Sequence, residues 1–366
     1  MKRIIFSFVL ITLFLTSCNV TREVNEISLI NSVGVDYTKD QDYNLTIQYL
    51  KPVKNMEPKL ITKTVSGISL YDANKRFNEF LPKRTYWSHN FVIILSEDIA
   101  KNGIRGTLDF FRRNLEMRQD VLILIAKKPS EILSKMQSEN ITGLNLKNTA
   151  NDASKLTSTG ELSTIHKIYQ NLYFEDPNLR VTHISISGDD PRIDGLSVFK
   201  KDKYVTTIDG EVAKGWGLYD LGNDWSRMIL NCNQSPSKKS KISYSIKNKD
   251  KKTSVTLAKD NKLHIKISGY YEAMITENQC MLDLKDPKNI TKLENKLNQE
   301  ITKTVLNTIK YAQNINVDYF GFGNLLYRSN PKQWKRIKAD YPNRFNDANV
   351  NLDFVTKITQ TGAVYD

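Results

Sequence analysis

The feature that most restricts this chain is the position of its one long apolar run. Ile4 to Leu15 are twelve almost uninterrupted apolar residues, preceded by Lys2 and Arg3. A spanning helix needs ~20 such residues, whereas a basic start followed by a short apolar run describes a secretory leader. This run closes on Leu15-Thr16-Ser17-Cys18, the pattern called a lipobox. The chemistry needs a thiol to take a diacylglyceryl group, and small neighbours so that a peptidase can cut before it. Cys18 is therefore the expected lipidation site and residues 1–17 the expected leader; an ordinary secretory signal ending in cysteine is the alternative. One acyl chain gives marginal binding at ~0.8 kcal/mol per buried methylene, and two anchor stably. Asn19 to Glu26 are polar and make a short tether, and no later stretch is long and apolar enough to span. The body is expected to lie on a membrane outside the cell, not to cross it.

From Cys18 to Asp366 the chain exceeds the ~250–300 residues at which single cores stop growing, so more than one domain is expected. The net charge is +13, and loss of Lys2 and Arg3 with the leader lowers it by two. On a tethered protein that balance favours anionic lipid head groups or an acidic partner, and export argues against nucleic acid. The other two cysteines, Cys232 and Cys280, have no framework spacing. Free or buried thiols are expected there, with pairing outside the cell as the alternative.

The apolar pattern predicts a mixed α/β (α+β) chain of sheets with packed helices. Ile27–Val35 and Tyr43–Leu50 read as a hairpin. A helix from Ser69 carries Leu70, Ala73, Phe77 and Phe80 on one face and stops at Pro82. The apolar strands Phe91–Leu95 and Val121–Ala126 alternate with helices carrying Ile104, Leu108 and Phe111, then Ile132, Leu133 and Met136. That order implies neighbouring strands crossed over by a helix. Asn140–Thr159 reads as a long loop, Glu161–Tyr173 as a helix, and Thr182-Ile184-Ile186 as a strand. Gly188-Asp189-Asp190-Pro191 reads as a boundary. Next come a hairpin, Gly195–Phe199 with Tyr204–Ile208, a short helix Glu211–Tyr219 and a linker at Asn233–Ser237. Ile242–Ile246, Val255–Leu257 and Leu263–Ile267 read as strands. Asp286-Pro287 opens a long helix striped by Ile290, Leu293, Leu297, Ile301, Val305 and Ile309. Asn330-Pro331 starts another helix with Trp334 and Ile337, and Val350, Leu352 and Phe354 alternate in a closing strand. The expected division is 18–190, an N-terminal α/β part; 191–235, a middle hairpin and connection; and 236–366, a C-terminal α/β part.

Catalytic patterns are missing. His89, His166, His183 and His264 are the four histidines, and none has a second ligand at metal spacing. There is no His-Glu-x-x-His, no Gly-x-Ser-x-Gly and no phosphate loop, so no metal, cofactor or catalytic residue is assigned. Phe320-Gly321-Phe322-Gly323 reads as a tight turn, and Asp189, Asp190 and Asp194 as turn residues. Ten lysines crowd Lys238–Lys266 against Asp250 and Asp260. Lys247, Lys249, Lys251 and Lys252 read as a loop that either rests on lipid head groups or forms a solvated face.

Four stretches together resemble a known family. They are Arg22–Asp36; His89–Ala126, with Leu108-Asp109-Phe110-Phe111-Arg112-Arg113 and Glu116-Met117-Arg118; Gly195–Lys203; and the end, with Asp318-Tyr319-Phe320-Gly321-Phe322-Gly323, Pro331-Lys332-Gln333-Trp334-Lys335 and the final strand to Gly362. In this order, behind a lipobox, they resemble the C-subunit lipoproteins of spore germinant receptors, the Ger(x)C type. One departure is Thr206, where that family usually has glycine. The resemblance implies a three-domain α/β protein on the outer face of the spore's inner membrane, working without catalysis beside two integral membrane subunits, A and B, in a nutrient-sensing complex. A solute-binding lipoprotein and a cell-envelope hydrolase are the alternatives.

Overall fold

The computed structural model describes residues 27–53, 56–157, 159–174, 178–220, 226–232, 240–259 and 261–362. Cys18, the leader and the Asn233–Ser237 linker lie outside them.

The first half is built on a nine-stranded sheet. β1 (Ile27–Tyr37), β2 (Tyr43–Val53) and β3 (Met56–Gly67) form an antiparallel meander at one edge, and the short β4 (Arg84–Tyr86) pairs with the start of β1. On the other side of β1 lie β5 (Val92–Ser96), β6 (Leu122–Ala126) and β7 (Arg180–Ser187), which run parallel to β1 and to one another. β8 (Asp190–Lys200) and β9 (Lys203–Asp209) then continue the sheet as antiparallel hairpins. Helices cover both faces. On one, α1 (Leu70–Phe80), α2 (Glu97–Asn102), α3 (Ile104–Arg113) and α6 (Ile165–Leu172) bury Phe77, Ile99, Phe111 and Ile168 against Val33, Ile93 and Ile123. On the other, α4 (Pro129–Ser138) and α5 (Gly143–Asp152) bury Leu133, Met136 and Leu146 against Ile94, Leu124 and Ile184. Because both faces are covered, every residue of β5 and β6 is buried, which is why they read as unbroken apolar runs.

The second half is a four-stranded sheet in the order β10 (Ser226–Asn231), β11 (Lys241–Leu257), β12 (Leu263–Asn278), β13 (Asn349–Gln360), with β12 and β13 parallel. α8 (Pro287–Asn314), 28 residues and ~42 Å long, lays Leu293, Leu297, Ile301, Val305 and Ile309 along it. Asp286 caps α8 and Pro287 occupies its first turn. α7 (Gly210–Tyr219) crosses α8 closely: a Cβ at Gly215 would stand 1.9 Å from Thr308 Oγ1. α9 (Phe322–Ser329), α10 (Pro331–Ile337) and α11 (Tyr341–Asn346) close the end.

Three readings need correction. Asn140–Thr159 is largely helix: α5 carries a capping box between Thr142 and Asn145, and a π-helical turn follows at Ala153–Thr157. α5 buries only Gly143, Leu146 and Ala150, too sparse a stripe to stand out. The Glu161–Tyr173 helix starts late, at Ile165, capped by Thr164. β3 escaped notice because an edge strand tolerates the exposed Pro58 and lysines that break alternation. Gly188–Pro191, read as a boundary, holds the tight turn of the β7–β8 hairpin. β8 and β9 are hydrogen-bonded into the large sheet, yet Leu196, Val198 and Ile208 pack into the core of the second half.

Candidate functional site

The two halves meet at a junction built around one arginine. Arg180, on β7, makes a two-pronged pair with Glu161: Nε to Oε2 at 2.6 Å and Nη2 to Oε1 at 3.0 Å. Its Nη1 donates to the carbonyls of Asn178 at 2.8 Å and Tyr319 at 2.5 Å, and the guanidinium lies 4.1 Å over the Trp216 ring. The large sheet is thereby joined to α7 and to the turn before α9. A planar cation that spends its donors this way is difficult to replace with lysine.

The turn is the segment Asp318–Gly323. Gly321 adopts φ +78°, and a Cβ there would stand 2.4 Å from Asn178 Nδ2, so glycine is required both by conformation and by contact with the first half. Asp318 accepts from the backbone N–H groups of Gly321 at 3.0 Å and Gly323 at 2.8 Å, and from the Tyr341 hydroxyl at 2.7 Å. Burial pushes its carboxyl up from the ordinary value, and those hydrogen bonds oppose the shift. Phe320 sits 5.4 Å from Trp216 and 4.9 Å from Tyr219, and stacks on Phe322 at 5.2 Å. The tight turn that the sequence implied at Phe320–Gly323 is made by Asp318–Gly321, and Phe322 and Gly323 already open α9.

Beside the turn, a cavity of about 350 Å³ opens between the β8–β9 hairpin and the C-terminal helices, with Phe199, Lys200, Lys201, Val317, Asp318 and Trp334 in its lining. Three of the sequence stretches singled out above converge here: Gly195–Lys203, Asp318–Gly323 and Pro331–Lys335. Among the described residues the Nε1 of buried Trp334 has no acceptor.

Other candidate residues lie elsewhere. His183, 8% exposed on β7, has Nδ1 2.7 Å from Asp194 Oδ1 and Nε2 3.4 Å from Glu97 Oε1. Asp194 is therefore a strand residue and not part of the turn. Burial pushes its carboxyl up, but the bonds from His183 and Ser185 outweigh that and hold it below its usual range. Ser185 Oγ donates to the same carboxylate at 2.5 Å. Serine and histidine thus share an acid instead of facing each other, so no base is aligned on the hydroxyl. Asp189 pairs with Lys135. His89, His166 and His264 lie far apart in the chain, and among the described residues no group of three potential metal ligands occurs.

The lysine cluster is no loop but the middle of β11. Lys249 pairs with Glu272 at 3.3 Å, and Lys251 Nζ lies 3.7 Å over the Tyr219 ring. Burial lowers the Lys251 ammonium to about 8 against the pull of Asp220. Cys232 and Cys280 form a disulfide, Cα atoms 5.6 Å apart, tying the end of β10 to the turn after β12. The backbone beside it shows why: Cys232 N bonds Ser240 O and Gln279 N bonds Lys241 O, so neighbouring strands bring the thiols together.

Comparison with known proteins agrees with this architecture. Residues 21–186 match the spore germination protein N-terminal domain, and residues 194–362 match the family described as spore germination B3/GerAC like, C-terminal. The two matches meet at the β7–β8 turn. Spore germination protein KC of Bacillus subtilis (strain 168) is 24% identical over 95% of this chain and 93% of its own length. The putative spore germination protein YfkR of the same organism is 23% identical over 100% of this chain and 99% of its own length. The crystal structure of the GerBC protein superposes with a TM-score of 0.57 at 18% identity, covering 89% of this chain and 96% of that one. The chain belongs to the Ger(x)C family of spore germination proteins.

Proposed function

We propose that the protein is the lipid-anchored C subunit of a nutrient germinant receptor and works without catalysing a reaction. The observation that carries this reading is the match of residues 21–186 and 194–362, in order and over nearly the whole chain, to spore germination domains. Among the described residues no helix is long and apolar enough to cross a membrane, so attachment is assigned to acyl chains on Cys18. Ile27, where β1 begins, follows Cys18 by nine residues, and an extended chain reaches at most about 32 Å over that distance. The body is therefore held against the outer face of the spore's inner membrane, and its positive charge complements anionic lipid. Confinement to that layer raises its effective concentration beside the integral A and B subunits, so weak contacts suffice to hold the complex.

Cys18→Ala tests this. The altered chain should leave the membrane fraction, and nutrient-triggered germination should slow at least tenfold. Normal germination with a chain that has left the membrane would count against the reading.

A further inference from the structure

We infer that the junction cavity binds a small organic anion with an apolar body. The cavity's ~350 Å³ falls within the range of small-molecule sites, and holds roughly ten to fifteen non-hydrogen atoms at ordinary packing density. Its inner wall is apolar: Phe199, Val317, Trp334 and Phe345 are each no more than 4% exposed. Its rim is cationic. Lys200 and Lys201 line it from the β8–β9 turn, and neither forms an ion pair among the described residues.

The turn that carries these lysines is braced. Lys201 holds φ +60°, and the next residue's carbonyl, of Asp202, accepts from Ile104 N at 3.0 Å at the start of α3. The brace fixes the backbone from which two flexible cationic side chains reach the rim, each able to meet a carboxylate. The one acid in the lining, Asp318, has its oxygens taken up by Gly321, Gly323 and Tyr341, and its burial favours the neutral form, so it opposes an incoming anion little. Among the described residues Trp334 Nε1 is a buried donor without an acceptor, a costly arrangement that a ligand oxygen at this wall would relieve. The walls come from opposite halves of the molecule, so an occupant would touch both sides of the junction at once.

Calorimetric titration of the full lipidated chain in detergent micelles tests the inference, with phenylacetate, benzoate and octanoate as anionic probes and phenylacetamide as the neutral control. At least one anion should bind, and phenylacetamide should bind at least fivefold more weakly than phenylacetate. Lys200→Ala with Lys201→Ala should erase that difference. Ala339→Trp, a substitution at an exposed lining residue, should fill the cavity and abolish binding with the melting temperature unchanged. The inference is overturned by no binding of any probe at about 10 mM, by equal binding of acid and amide, or by binding that survives the Ala339→Trp change. A Cys18→Ala chain should bind as the unaltered one does, so failure here leaves the proposed function standing.

Discussion

The two sheets bury their cores by different means. In the large sheet β5 and β6 are covered on both faces, and all ten of their residues are buried. In the small sheet Ile242, Tyr244 and Ile246 of β11 are buried, while Ser243, Ser245 and Lys247 between them are partly exposed. A sheet covered twice is specified by apolar volume; a sheet covered once is specified by register, because a one-residue slip would turn its core to water. The small sheet accordingly carries extra restraints: a disulfide across its edge, and Glu294 on α8 accepting from Lys357 Nζ and Ile358 N of β13, each at 3.0 Å.

The largest effect should come from removing packing in the doubly covered sheet. Phe111→Ala, at a side chain with no exposure, should cost about 3–5 kcal/mol in denaturant unfolding, whereas half-buried Leu352→Ala in β13 should cost well under half as much. Equal costs would break the contrast between the sheets. Next is the disulfide, which closes a separation of 48 residues. Cys232→Ser with Cys280→Ser should cost about 2–4 kcal/mol, and hydrogen exchange should quicken in the small sheet first. Uniform quickening would mean that the bond does not act locally.

Arg180→Ala should cost about 2–3 kcal/mol, discounted because Glu161 stays partly solvated. It should also split one calorimetric transition into two, since the arginine bonds both halves; a single shifted transition would show that other contacts suffice. The smallest effect concerns Asp36, at the end of β1. Burial raises its carboxyl to about 6, helped by Asp98 and Glu131 and opposed by the bonds from Ser130. A carboxyl whose pKa is raised on folding loses stability as pH climbs from about 4 to about 6. Asp36→Asn should therefore stabilise the protein by about 1–2 kcal/mol at pH 7, after discounting for partial exposure, and by nothing near pH 4. A gain of equal size at both pH values would refute the ionisation account.

Much of this architecture was legible in the chain because its signals are local. The α8 stripe, its Asp286-Pro287 start, the two hairpins and the Phe320–Gly323 turn each announce themselves within a few residues. What escaped depends on partners distant in sequence. Asp194 looked like a turn residue until β8 folded back to set it beside His183. Lys251 looked like a surface charge until α7 brought Tyr219 beneath it. Cys232 and Cys280 lacked a spacing signature because strand pairing, not spacing, brings them together. For the junction, the quoted stretches were visible but their convergence on one cavity was not.

The central claim, that this body serves a membrane receptor as a tethered subunit, is tested most directly by purifying the chain from detergent-solubilised membranes of dormant spores. The expected result is co-purification of two integral membrane proteins with a chain whose N-terminal cysteine carries a diacylglyceryl group. A chain that purifies alone, with an unmodified thiol at Cys18, would contradict it.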